Sequence, residues 1–331
     1  MRRFSVRVVL LVAVISVLSS WGFLVHKTVH QLAVYELPSS MRPFFYTNMK
    51  YLVDNAGRPD QRRNTDSTEA SKHFVDLEAY GDSAAWKMPF TWDEAVKKYG
   101  KDSLLEYGYV PYQIITMKNK LTNAFRTGNK DSILFYATDM AHYIGDANVP
   151  LHTSLNYDGQ LTNQKGLHSL WESMIPEIEI ESYNLHNSHK AQYVKNPEQT
   201  IWNCIRHSFA LTKDVFGMEI EASKGFVDSI KYRVQVRRGQ EVKSYTTAFA
   251  KAYSKLLAPT INQQLLNSAN MIADFWYTAW VDAGKPNLSP LLSQPFEKKE
   301  KNALKEEMKI WKKNELIQKG ILLSKKPMPE K

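Results

Sequence analysis

The stretch HYIGDANVPLH, residues 142–152, followed after a polar loop by GLHSLWES, residues 166–173, decides how this chain is read. His142 and Asp146 are four residues apart, and so are His168 and Glu172. On a helix that spacing stacks two side chains on one face, one turn apart. Pro150 predicts the end of the first helix and a reversal of the chain, with His152 just beyond it. Two helical ligand pairs, joined by a loop bearing another imidazole, can converge on zinc-sized ions. Imidazole nitrogen and carboxylate oxygen are the donors zinc accepts in sites that keep a position open for water.

Working outward, helical periodicity dominates. Helices are expected over 26–37, stopped by Pro38, and over 41–53, followed by a polar loop at 55–71. Another is expected over 102–126, with Leu104, Leu105, Tyr109, Tyr112, Ile115, Leu121 and Phe125 at helix-like intervals. Thr127-Gly128-Asn129 breaks it, and Asp131 can cap the next, over 132–145. Further helices follow at 167–181, 191–215, 224–235 and 242–283. Strand signals are few and no repeat is evident. The expected class is all-α, a single multi-helix domain around a ligand-lined cleft.

The 331 residues, 43% apolar, supply ample core for one large domain. Arg2, Arg3 and Arg7 precede the apolar run 8–18, which ends in Ser19-Ser20 before Trp21, the layout of a secretory signal. Cleavage after Ser20 would export the protein, to the periplasm or outside the cell; an uncleaved anchor is the alternative. The expected division is a signal peptide at 1–20, a catalytic domain at 21–296 and a charged extension at 297–331. Cys204 is the single cysteine, which excludes an internal disulfide. The formal charge of +9 is misleading, because three leader arginines and a net +5 over 297–331 leave the intervening chain near +1. A basic groove for nucleic acid is therefore not indicated by composition. The Lys/Glu-rich tail reads as a solvated helix or a partly disordered extension.

Further candidates complete the pattern. His26 lies five residues after Trp21, His73 sits in SKHFVDLEAY (71–80), and Asp60 in GRPDQRR (57–63) precedes it by thirteen residues. Together these segments resemble the superfamily of bacterial zinc-dependent phospholipases C and fungal single-strand-specific nucleases, over roughly residues 21–280. The resemblance implies an all-α fold and three zinc ions. Asp60, His73, His142 and Asp146 would hold the first. The free amine and carbonyl of Trp21 and the ring of His26, with Asp146 bridging, would hold the second. His152, His168 and Glu172 would hold the third. The short Trp-to-His opening is similar to the nuclease branch. The segment GLHSLWES, with Glu as last ligand, and the short loop between His152 and His168 are similar to the phospholipase branch. The Asp-Trp pairs and glycine-rich segments typical of the nucleases are missing around Asp60 and after His152.

Three divalent ions outweigh three carboxylates, and the surplus positive charge favours an anionic phosphodiester. Zinc lowers the pKa of bound water to ~7, so hydroxide is available to attack phosphorus near neutral pH. Asp60 is the candidate catalytic residue, orienting the nucleophile or shuttling a proton. The expected function is a zinc phosphodiesterase of the phospholipase C type, with transient contact to a membrane surface and no obligate protein partner. A nuclease or nucleotidase acting on single-stranded nucleic acid with the same metals is the alternative; a non-catalytic zinc-binding structural protein is another. His186, His189 and His207 read as surface or core residues, and His30 as an outer neighbour of the metal or a surface residue, with a competing ligand as the alternative. Asp54 and Asp66 read as loop polars, Asp76 as a structural or outer carboxylate. Trp86, Phe90 and Trp92 read as core or loop packing residues, with the lining of a substrate cleft as the alternative.

Overall fold

The computed structural model describes residues 23–237, 240–257 and 259–325. The expected leader and Trp21 lie outside the described residues. Six helices carry the fold: α1 (Phe23–Glu36), α2 (Val110–Thr127), α3 (Lys130–Ala147), α4 (Pro197–Ser223), α5 (Thr260–Asp282) and α6 (Lys298–Lys312). Helices α2 and α3 form an antiparallel pair. The short link between them fits its residues, because Gly128 closes α2 in the left-handed region at φ +64°. Asn129 caps α3, its side chain accepting from the Ser132 N–H. The cap is thus Asn129, and not Asp131 as expected, since Asp131 already lies within the helix.

Helix α5 packs across α1, α2 and α3. Its Trp276 is fully buried and stacks on Phe45 with ring centroids 4.8 Å apart. Offset aromatic pairs of this kind add ~0.5–1.5 kcal/mol beyond the area they bury. The all-α expectation holds, with one antiparallel hairpin as the exception: strands Tyr232–Arg237 and Gln240–Tyr245 pair with Tyr232 opposite Tyr245.

Several expected helices are shorter than their periodicity suggested. The 41–53 segment divides into Arg42–Thr47 and Met49–Asp54 at Asn48, whose side-chain amide donates to the Phe44 carbonyl at 2.8 Å and competes with the backbone. The 102–126 segment breaks at Gly108, and the 242–283 segment is strand as far as Tyr245 and then divides into the helix Thr247–Leu257 and α5. The 191–196 stretch runs outside a helix until Pro197 opens α4. At 224–235 the expected helix gives way to the first strand, whose Val-rich alternation favours β structure. The 55–71 loop contains the short helix Arg58–Arg62.

The tail differs most from expectation. Residues 297–325 are neither solvated throughout nor disordered: Trp311, Leu316 and Leu322 are buried and join the same core as the central helices. Three apolar anchors spaced along a charged sequence suffice to dock it. No helix among the described residues is long and apolar enough to cross a membrane.

Candidate metal centre

Helix α3 presents Asp139, His142 and Asp146 on a fully buried face. Gly145 on the same helix lets α1 approach closely, since a Cβ there would lie 2.9 Å from both Cε1 and Nδ1 of His26. The His26 ring is stacked on that of His142, with centroids 4.1 Å apart.

His73 is placed by the break at Gly108. At φ +83° this glycine brings its backbone against Phe74, where a Cβ would lie 2.3 Å from the Phe74 carbonyl oxygen. Around it, Tyr109 N donates to Ser71 O at 2.9 Å, Val110 N to Phe74 O at 3.1 Å and Asp76 N to Tyr107 O at 2.8 Å. His152 follows in the short turn Pro150–Thr153 and donates Nδ1–H to the His73 carbonyl at 2.7 Å, while Val75 N returns a bond to His152 O at 2.9 Å.

Asp60 stands on the helix Arg58–Arg62, which two arginines pin to α3. Arg58 donates Nε–H to Asp139 at 3.0 Å, and its guanidinium lies over the Phe135 ring at 4.0 Å. Arg62 reaches Glu69 at 3.1 Å and Asp139 at 2.8 Å. His168 and Glu172 lie on a helical segment that widens into a π turn at Leu170–Met174. Pro176, four residues after Glu172, has no N–H to offer the Glu172 carbonyl and crowds that oxygen with its ring, which accounts for the widening. Such π bulges recur at functional sites.

These elements bring eight of the nine expected ligands together; Trp21, the ninth, is outside the described residues. Asp146 faces two ways, Oδ1 toward His26 Nε2 at 3.4 Å and Oδ2 toward His73 Nδ1 at 2.9 Å and His142 Nε2 at 3.4 Å. Asp60 lies 3.7 Å from His73 Nδ1 and 3.8 Å from His142 Nε2. Glu172 lies 2.7 Å from His168 Nε2 and 3.4 Å from His152 Nε2 through Oε2, and 3.7 Å from His26 Nε2 through Oε1. That last contact was not anticipated and ties all three donor groups together.

The donors fit zinc. Two ligand atoms each about 2.1 Å from a tetrahedral ion are about 3.4 Å apart, within the range of separations just given. A carbonyl can only accept, so the Nδ1 atoms of His142, His152 and His168, which face the carbonyls of Ala56, His73 and Tyr157 at 2.8, 2.7 and 3.0 Å, must carry the proton. Each leaves an Nε2 lone pair directed at the cavity, the arrangement metal-binding histidines adopt. His73 is reversed: Nδ1 faces the carboxylates, and Nε2 lies 3.6 Å from Glu69 Oε1.

The electrostatics describe a buried anionic nest that demands positive charge. Burial disfavours their ionisation, yet Asp146 and Glu172 are held well below the usual carboxylate range by the surrounding imidazoles. Burial likewise opposes charge on His26 and His73, but hydrogen bonds and charge from Asp146, with Glu172 for His26 and Glu69 for His73, push them up to about 10 and about 9. His142 goes the other way, to about 4, because burial dominates and His26 and His73 repel its charge. A divalent ion meets the same demand as the imidazole protons.

Sequence reasoning missed Glu69 and Gly145. Glu69 is 1% exposed and gathers Arg62, Lys72 and the Tyr143 hydroxyl behind His73. Its signal was present, four residues before His73. Gly145 sits inside the quoted motif but stands out only once α1 is packed against it.

The remaining readings resolve plainly. His30 is buried with both ring nitrogens against carbonyls, of His26 at 2.6 Å and Thr138 at 3.1 Å, so neither nitrogen is turned toward the other ligands. His189 pairs with Asp274 at 2.8 Å, His186 lies edge-on to Trp311 and His207 is exposed. Asp54 pairs with Lys50, and Asp66 accepts from Thr68. Asp76 is buried, and burial with the Glu78 charge pushes it up to about 7 against the pull of His152. Trp92 packs on Tyr109 and Tyr112, whereas Trp86 and Phe90 are exposed rather than packed.

A protein-family model described as S1/P1 nuclease matches residues 21–276. No curated protein matches the chain.

Proposed function

The chain belongs to the S1/P1 nuclease family, a family of zinc-dependent phosphodiester hydrolases, and we propose that it cleaves single-stranded nucleic acid at a centre of three zinc ions. The reading rests above all on Asp146, whose two oxygens face separate imidazole groups as a bridging carboxylate must. Asp60, His73, His142 and Asp146 would hold one ion, His26 and Asp146 with the Trp21 terminus a second, and His152, His168 and Glu172 a third. On this reading the chain is cleaved after Ser20 and exported, since only a free terminus at Trp21 supplies an amine.

Zinc bound there supplies Lewis acidity and an ionised water near neutral pH. The chain's own residues do the rest. Asp146 and Glu172 are nearly enclosed, with side chains 2% and 13% exposed, whereas that of Asp60 is 32% exposed. Asp60 is therefore the carboxylate that can touch an entering water and substrate, orienting the one and taking up its proton. Arg63, half exposed and 3.6 Å from Asp60, offers a guanidinium to a non-bridging phosphate oxygen. Tyr157 is 51% exposed with its ring 6.4 Å from that of His168, and presents a face on which a base can stack. The near-neutral body is no obstacle, because the ions bring the positive charge to the scissile phosphate.

This order reverses the sequence expectation, which set the phospholipase C reading first. Parallel assays of the zinc-loaded protein on single-stranded DNA, single-stranded RNA and phosphatidylcholine vesicles test it. Hydrolysis of the polynucleotides, lost in Asp60→Asn, is expected. Release of diacylglycerol alone would restore the phospholipase reading, and full zinc content without hydrolysis of any substrate would leave a structural protein.

A further inference from the structure

The imidazoles of the centre differ in what holds them. His142, His152 and His168 are each tethered through Nδ1 to a backbone carbonyl. His26 has no such tether: its Nδ1 is buried without a hydrogen-bond partner among the described residues. The ring is located by the position of α1, by its stack on His142 and by the gap at Gly145. Where α1 goes, His26 goes.

One face of α1 is covered by residues that follow the family-matched region. The Gln31 side chain is fully buried, donates to the Ile321 carbonyl at 3.1 Å and accepts from Leu323 N at 2.8 Å. Thr28 and Ser324 share a hydroxyl hydrogen bond at 2.8 Å. The two oxygens of Glu307 accept from the hydroxyls of Tyr35, on α1, and of Tyr46, the latter at 2.9 Å. Trp311 is buried beside them, its indole N–H on the Leu185 carbonyl at 2.7 Å. These bonds lie along the helix from Thr28 to Tyr35, so they oppose both sliding and rocking of α1.

We propose that the segment 297–325 is a positioning element of the metal centre, fixing the His26 donor through Gln31 and Glu307. The inference rests on the metal-centre reading above. Gln31 and Glu307 touch neither substrate nor ion; they act through the helix. A metal–ligand distance tolerates only about 0.2 Å, so a small release of α1 is felt at His26 while the tethered histidines stay in place. The ion held by His26 is the one that weakens.

The experiment compares full-length, zinc-loaded wild type with Gln31→Ala, Glu307→Ala and Glu307→Gln, and with Val215→Ala, a buried residue of α4, as a core control. Zinc per chain and the rate of zinc transfer to a chromogenic chelator are measured beside thermal melting. In the two alanine variants one ion per chain should leave some 10–100-fold faster, the usual scale for outer-shell partners. Added zinc should then restore turnover. Glu307→Gln, which keeps an acceptor and a donor for the tyrosines, should stay close to wild type, and Val215→Ala should melt lower without faster zinc release. Alanine variants that melt lower yet hold zinc like wild type would overturn the proposal, as would equal zinc loss in the core control. A wild type that binds no zinc would instead remove the metal-centre reading itself.

Discussion

Replacing Gly145 by alanine separates the metal site from the fold. The added methyl would sit 2.9 Å from two atoms of the His26 ring, against 3.4 Å for the near limit of ordinary contact, so the ring must retreat by roughly 0.5 Å. That exceeds the ~0.2 Å tolerance of a zinc–nitrogen bond. Affinity for the ion at His26 should fall by about 10–100-fold, as when a ligand's support is removed. Folding stability has opposing terms. Alanine for glycine inside a helix gains ~0.5–1 kcal/mol, and an off-rotamer ring costs ~0.5–1.5 kcal/mol. The metal-free proteins should therefore melt within a few degrees of each other. Elemental analysis after dialysis against a graded chelator, with melting curves of the stripped proteins, reads both quantities. Wild-type zinc retention by Gly145→Ala would refute the reasoning, because it would mean that His26 does not bind an ion where α1 now places it.

Other outcomes follow from the same geometry. Asp60→Asn should lower kcat by about 10²–10⁴, the range for loss of a general acid–base group; a wild-type turnover number would remove Asp60 from the chemistry. Glu69→Gln removes the negative charge behind His73, so zinc affinity should drop about 10-fold or more, with chelator competition as the readout and unchanged affinity as the contrary result. Glu36 supplies a pH signature remote from the metal. Burial, then the charge of Asp274, push its carboxyl from 4.5 up to about 9. The folded state thus keeps a proton that the unfolded chain releases, and stability is lost as pH rises between those values, by at most ~1.4 kcal/mol per pH unit. Glu36→Gln should therefore raise the melting temperature more at pH 8 than at pH 5; an equal shift at both would contradict the assignment.

Much of the site was legible because helical spacing is a local property. The pairs His142/Asp146 and His168/Glu172 needed only a 3.6-residue repeat to face one way, whereas Asp60 was preferred over Asp54 and Asp66 through the family resemblance, by its spacing to His73. What was illegible depended on contacts between distant segments. Gly108 breaks a periodic helix because Phe74 lies against it, a fact that periodicity alone does not carry. Gly145 reads as a mild helix defect until His26 is set over it. The extension after residue 297 was read from its lysines and glutamates, and its docking depends on Trp311, Leu316 and Leu322, too few to change the composition. The valine-rich strand at 232–237 was too short to outweigh the helical pattern on either side of it.

Anomalous diffraction at the zinc edge, from crystals of the exported protein, bears most directly on the trinuclear assignment. Three peaks are expected, one beside Asp60, His73 and His142, one between Asp146 and His26 and one among His152, His168 and Glu172. Fewer peaks, or peaks away from these donors, would contradict it.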